Sequence, residues 1–232
     1  MGQVTPAQPN NSLINGIACL QMVVSADKPL GVREIARELE LSPTRVNRLL
    51  STLAHLGLVE KTPKRKYRSG TAIHVLAAQS LHASPLLALA LPHLMELRRD
   101  GFTVALGVLW RRKICYLFHE RPWQNLEDSL GRHEVYPAEQ SSLGMALLAA
   151  ENAPSPTDPP VADWAQVLER IRAEGVAVVR YPDGELSIGA PIGNPPVAAI
   201  GVSGKHIGEE YMPKVADRVL KAAVEISQAL GR

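Results

Sequence analysis

The stretch from Val32 to His55, VREIARELELSPTRVNRLLSTLAH, constrains the fold more than any other part of the chain. Val32, Ile35, Ala36 and Leu39 recur at three- and four-residue steps, and so do Val46, Leu49, Leu50, Leu53 and Leu56. Each run therefore predicts a helix with one apolar and one wet face. Only Leu41-Ser42-Pro43 stands near the break between them. Ser42 is a good N-cap, and Pro43 fits the first helical position, where a missing N–H costs nothing. Two short amphipathic helices joined this tightly predict a helix-turn-helix, whose second helix is the one offered to a DNA groove.

Charge supports that reading. Residues 1–70 hold ten Lys/Arg against five Asp/Glu, whereas residues 71–232 hold fifteen against eighteen. The basic surplus lies with the helical pair, which points to a polyanionic partner, double-stranded DNA. Behind the second helix, Val59 to Arg68 predicts two short extended segments around a turn at Thr62-Pro63-Lys64, the wing of a winged helix. Lys61, Lys64, Arg65, Lys66 and Arg68 on it are candidate phosphate or minor-groove contacts, together with Arg33. On the second helix Ser42, Thr44, Arg45, Asn47, Arg48 and Ser51 are candidate DNA contacts, and the N-terminal half, Ser42 to Arg48, is the candidate base-reading set. Arginine pairs with guanine and asparagine with adenine through two hydrogen bonds, and hydroxyls suit phosphates or either base type.

The rest of the chain predicts an α+β arrangement. Residues 1–11 carry two prolines and polar side chains and are expected to be a disordered tail. Leu13, Ile14, Ile17, Leu20, Gln21 and Val24 mark a first helix expected to complete a three-helix core. The DNA-binding domain is thus placed at 12–70 and a linker helix without a clean stripe at 71–83. A larger domain follows at 84–232, with about five or six strands. Its predicted elements include strands Phe102 to Trp110, Ile114 to His119, Val176 to Arg180, Leu186 to Pro191 and Val197 to Ser203. Helices precede, interrupt and close the sheet, the last on Val215, Val219, Ala222, Ile226 and Leu230.

Several function classes are disfavoured. Cys19 and Cys115 lack a Cys-x-x-Cys pairing, which argues for reduced thiols and against a zinc site. No run of about 18 apolar residues is present, and MGQVTPAQPN does not read as a secretory signal, so a cytoplasmic location without a membrane span is expected. His119-Glu120 is followed by Pro122 and lacks a second histidine at metalloprotease spacing. No Gly-x-Ser-x-Gly elbow occurs, and Asp183-Gly184-Glu185 reads as a turn rather than an acid pair. No catalytic residue, metal or cofactor is expected.

In order and spacing, several segments together resemble the IclR family of bacterial transcriptional regulators. They are Pro29-Leu30-Gly31-Val32-Arg33-Glu34-Ile35-Ala36, Val46-Asn47-Arg48-Leu49-Leu50-Ser51-Thr52-Leu53, Leu143-Gly144-Met145-Ala146-Leu147-Leu148-Ala149, Ile171-Arg172-Ala173-Glu174-Gly175-Val176-Ala177 and Ala198-Ala199-Ile200-Gly201-Val202-Ser203-Gly204. The resemblance implies an N-terminal winged helix-turn-helix, a linker helix that dimerises and a GAF-like α+β domain that binds a small effector. It also implies a homodimer or homotetramer on a pseudo-palindromic operator, acting as a repressor or an activator. It places the effector pocket at Ser142, Leu143, Ser187, Gly201 and Ser203. The loop Ser141 to Gly144 opens a helix, whose free N–H groups would cradle an anionic effector. Leu143 is bulkier than the small residues usual there, and Val178-Val179-Arg180 replaces acidic residues. A larger, more apolar ligand, or one contacted by Arg180, fits equally. Two alternatives stay open: a second domain that only oligomerises, and a small-molecule enzyme.

Overall fold

The computed structural model describes residues 8–122, 136–156 and 159–232. Their contacts divide into two units, one ending at Ser84 and the other beginning at Pro85.

In the first unit, α1 (Asn11–Val24), α2 (Val32–Glu38) and α3 (Pro43–His55) precede a hairpin of β1 (Val59–Lys61) and β2 (Tyr67–Ser69), followed by α4 (Thr71–His82). Helix α3 starts where capping chemistry puts it. Ser42 Oγ accepts the Arg45 N–H at 3.3 Å and Pro43 occupies the first turn. Ile35 and Ala36 of α2 and Val46, Leu50 and Leu53 of α3 meet Cys19 and Val23 of α1 in one core. Tyr67 joins them from the hairpin, and its backbone exchanges two hydrogen bonds with Leu30, at 2.7 and 2.8 Å.

Two expectations for this unit change. The segment expected to be a disordered tail ends earlier, because Asn10 accepts the N–H groups of Ser12 and Leu13 and starts a helix at Asn11. Residues 1–7 lie outside the described residues. Second, α1 buries Gly16, Cys19 and Val23, whereas Leu13, Ile14, Ile17 and Val24 are exposed. The apolar stripe of α1 is wider than the arc its own core covers. Gly16 faces Leu49 of α3, where an added Cβ would stand in ordinary contact 3.8 Å from Leu49 Cδ2, so the α3 surface rather than an unusually close approach selects this inward face. None of the residues of α4 is buried.

The second unit opens with α5 (Pro85–Arg98). A six-stranded antiparallel sheet follows, in the order β5-β4-β3-β8-β7-β6. Its strands are β3 (Thr103–Trp110), β4 (Lys113–Glu120), β5 (Tyr136–Pro137), β6 (Ala177–Arg180), β7 (Leu186–Ile192) and β8 (Ala198–Gly204). Three further helices are α6 (Ser142–Ala150), α7 (Trp164–Glu174) and α8 (Met212–Ala229). The sequence reading had no counterpart for β5, whose two residues are too short to show a period.

Strand alternation assigns the two faces. Val104 and Leu106 of β3, Ile188 and Ala190 of β7, and Ile200 and Val202 of β8 pack with Leu94 of α5 and Val215, Val219 and Ile226 of α8. The intervening residues of the central strands are small. Ala105 and Ala199 pack with Leu143 and Leu147 of α6, while Ala177 joins the cluster of α6 with Trp164 and Leu168 of α7. Helix α6 is buried on every side, which explains its lack of amphipathic spacing.

Candidate functional site

Two surfaces carry the chemistry. On the first unit, Thr44, Arg45, Asn47, Arg48 and Ser51 are all exposed along α3, opposite its buried Val46, Leu50 and Leu53. Ser42 is exposed too, although its oxygen already accepts the Arg45 N–H. Arg33 is exposed in the first turn of α2. A helix with this division of faces can lay its polar side along base edges without disturbing its core.

The wing is a tight connection. Thr62 N–H donates to Lys66 O at 2.7 Å, Arg65 N–H donates to Thr62 O at 2.9 Å, and Arg65 takes a left-handed φ of 57°. Lys64, Arg65 and Lys66 are exposed around it. Two of the wing cations are already engaged. Arg68 is ion-paired with Glu60, its partner in the β1–β2 register, and Lys61 Nζ lies 5.8 Å from the centre of the Tyr67 ring. Both side chains stay exposed, and a surface pair of this kind is weak, so all five wing cations remain candidate contacts. Tyr67 itself is buried and belongs to the core rather than to the basic surface.

In the second unit a cavity of about 930 Å³ opens on the small-residue face of the sheet. The register brings its floor together. Thr103 pairs with Ser203, Ala105 with Gly201, and Ser187 with Ser203, so residues from β3, β8 and β7 line one patch. Of the five expected effector positions, Leu143, Ser187, Gly201 and Ser203 line this cavity. Ser142 does not. Its side chain is fully buried and its hydroxyl shares a 2.7 Å hydrogen bond with Ser187 Oγ, tying α6 to β7 beneath the floor. The helix cap is Ser141, which accepts the Gly144 N–H at 3.4 Å.

Helix α6 approaches the sheet very closely. A Cβ on Gly189 would stand 2.8 Å from Leu143 N, and one on Gly201 would stand 2.5 Å from Leu143 Cδ1. Leu143 thus fills the hollow left by the strand glycines. The open N–H cradle expected at this helix end is narrowed, since Gly144 N–H is taken and β7 abuts the first turn. Arg180 also falls elsewhere: it is ion-paired with Glu209 and does not line the cavity.

Sequence reasoning missed the walls. Tyr116, Tyr136 and Tyr181 line the cavity, with His119, Arg121 and Glu185. Tyr116 and Tyr136 meet edge to face with centroids 6.3 Å apart. The Tyr116 hydroxyl lies 3.1 Å from Ser141 Oγ, and the Tyr181 hydroxyl donates to Gln140 O at 3.2 Å. Ser203 Oγ donates to Glu185 Oε1 at 2.5 Å. The turn reading of Asp183-Gly184-Glu185 holds, with Gly184 N–H donating to Tyr181 O, yet the same turn presents Glu185 to the cavity. An aromatic on a half-buried strand and an acid in a turn carry no sequence signal of a shared wall; only strand register reveals it.

Burial, with the negative fields of Tyr116 and Glu185, pushes the Tyr181 phenol up to about 12. A phenol whose folded value lies above its ordinary value of 10.0 binds its proton more tightly when folded. Its contribution to stability is intact below pH 10 and is lost as pH rises through 12. Tyr181→Phe is expected to flatten the fall of stability over this window in urea titrations at stepped pH. A slope equal to that of the unsubstituted protein would exclude the assignment.

The model of the IclR helix-turn-helix domain matches residues 12–63. The glycerol operon regulatory protein of Streptomyces coelicolor is 28% identical, over 95% of this chain and 96% of its own length. The HTH-type transcriptional regulator BhcR of Paracoccus denitrificans is 27% identical, over 88% of this chain and 82% of its own. Among solved structures, an IclR family transcriptional regulator from Brucella abortus shares the fold with a TM-score of 0.76 at 21% identity, covering 96% of this chain and 93% of its own. An IclR homologue from Microbacterium hydrocarbonoxydans, solved in complex with 4-hydroxybenzoate, shares it with a TM-score of 0.64 at 20% identity, covering 95% and 99%.

Proposed function

We propose that the chain, whose residues 12–63 match the IclR helix-turn-helix domain, is a DNA-binding transcriptional regulator of the IclR type that binds a pseudo-palindromic operator as a dimer or tetramer under control of a small molecule. It acts in this reading in the bacterial cytoplasm, with Arg45, Asn47 and Arg48 of α3 reading bases. Ser42 and Thr44 lie in the same base-reading half of the helix, Ser51 is a further contact, and Arg33 with the wing cations Lys61, Lys64, Arg65, Lys66 and Arg68 positions the protein on phosphates. The observation that carries the proposal is the uninterrupted polar face of α3 above a fully apolar one, next to a basic wing.

Self-association is supported by uncovered apolar surface. Leu13, Ile14, Ile17 and Val24 of α1 are exposed, and so are Val75, Leu76 and Leu81 of α4. Several exposed large apolar side chains on each of two helices favour an interaction surface, and a two-fold partner would present two recognition helices to two half-sites. Control is supported by the cavity, whose size suits a small organic ligand. The homologue complexed with 4-hydroxybenzoate favours the same use of the domain. A ligand bound there changes operator affinity to the extent that it binds the operator-competent arrangement differently from the other.

Titration of a fluorescent duplex, selected from a randomised pool by the unsubstituted protein, tests the DNA reading. Arg48→Ala is expected to weaken binding by about 1–3 kcal/mol, roughly five- to 150-fold, and to relax selectivity at one position. Lys64→Ala should weaken binding across sequences and lower the salt slope by about 1. Undiminished affinity of Arg48→Ala for the selected duplex rejects the role of α3.

A further inference from the structure

Resting on the reading of the cavity as the effector site, we infer that its ligand is an uncharged polyhydroxylated molecule, a sugar or polyol, read by the Glu185 carboxylate. The charge around the cavity is the first ground. Asp183 is neutralised by Lys205, with Nζ 2.9 Å from Oδ2, and its carboxyl is held below the usual range by that contact. Arg121 and His119 border the cavity but already interact within the protein. With the Asp183–Lys205 pair cancelled and Arg121 and His119 already engaged, the described lining sets no uncommitted cation before a ligand carboxylate.

The second ground is the hydrogen-bonding inventory. Among the described residues no basic side chain pairs with Glu185, whose Oε1 accepts only the Ser203 hydroxyl. A carboxylate has about four acceptor positions. The remaining ones are strong acceptors for ligand hydroxyls, whereas a ligand carboxylate set beside Glu185 would meet like charge. The helix end that would otherwise favour an anion has its Gly144 N–H engaged and Leu143 packed over the strand glycines.

The third ground is shape. Tyr116 and Tyr136 stand edge to face on one side, while Thr103, Ser187 and Ser203 supply hydroxyls on the floor. Aromatic faces take the C–H face of a sugar or polyol, and the hydroxyl-lined floor with Glu185 takes its O–H groups. A site whose polar groups would be left unpaired discriminates strongly against analogues lacking the hydroxyls.

Calorimetric titration of the full chain with glycerol, D-mannitol and D-glucose, beside 4-hydroxybenzoate as an acid and putrescine as an amine, tests the inference. At least one hydroxylated probe is expected to bind saturably. Glu185→Gln should weaken that probe about tenfold or more, and Ser203→Ala, which frees an acceptor position without removing the charge, should weaken it less. Saturable binding by 4-hydroxybenzoate or putrescine alone, or a hydroxylated probe indifferent to Glu185→Gln, overturns the inference while leaving the effector role of the cavity standing. Silence from all five probes also overturns it. The effector role is then judged separately, by whether a bacterial small-molecule extract alters operator affinity.

Discussion

Tyr67→Ala is expected to unfold the first unit and abolish operator binding while leaving the second unit folded. Tyr67 is 2% exposed and packs with Cys19, Ile35, Val46, Leu50 and Val59. Its backbone also bridges to Leu30, so one residue joins the hairpin to the helical core. Truncating a buried aromatic costs about 3–5 kcal/mol through lost burial and the cavity left behind. A core in a domain of this size rarely supplies more than about 3–5 kcal/mol in total, so the loss is comparable with the whole stability of the unit. Differential scanning calorimetry should show the transition of the first unit gone and that of the second retained. Tyr67→Phe, which keeps the ring, should restore the transition of the first unit. A thermogram unchanged in Tyr67→Ala would show that the hairpin is not anchored through this ring.

The second large effect is expected from Gly144→Ala. A methyl at Gly144 would stand 2.3 Å from Ala138 O, 2.5 Å from its Cα and 2.7 Å from its carbonyl carbon. All three atoms are backbone, so no rotamer change relieves the clash. Helix α6 would have to move away from the short 3-10 turn at Ala138–Gln140, whose position is fixed by the Tyr181 bond to Gln140 O and the Tyr116 contact with Ser141. Overpacking of this kind costs about 3 kcal/mol, which for a unit of this length lowers Tm by about 10 °C. The cavity wall moves with the turn, so ligand-dependent change in operator affinity should be lost together with stability. A Tm within 2 °C of the unsubstituted protein, a shift expected of a cost of about 1 kcal/mol or less, would rule out this close approach.

The helix-turn-helix was legible because its packing is local. Ser42, Pro43 and the apolar spacing of α3 act within a few residues of one another. The central strands were legible for the same reason, since larger apolar residues such as Val104 and Leu106, Ile188, and Ile200 and Val202 alternate with small ones along them. The inward face of α1 was not. Its sequence offers two adjacent apolar arcs, and choosing Gly16, Cys19 and Val23 over Leu13 and Ile17 depends on the α3 surface it meets. In the cavity, the small strand residues Ser187, Gly201 and Ser203 came from family resemblance, and four of the five positions gathered at one place. Tyr116 and Glu185 were invisible because their proximity is made by antiparallel pairing across residues far apart in sequence. Ser142, a pocket position by resemblance, lies beneath the floor for a simpler reason. Adjacent serines at a helix start are equivalent on paper, and only the backbone turn decides that Ser141 caps while Ser142 points into the sheet.

The alternation of β7 and β8 has a consequence for how such a protein can change over generations. Leu186, Ile188 and Ala190 on one side of β7, and Ile200 and Val202 on β8, belong to the core with α8. Ser187, Gly201 and Ser203, their immediate neighbours in the chain, belong to the cavity. The sheet acts as a partition, with solidity entrusted to one side and chemical taste to the other. A single nucleotide change in a codon for a cavity residue can therefore alter which molecule is sensed while every residue that holds α8 in place stays untouched, so new sensing specificities are reachable by small steps from a fold that keeps standing.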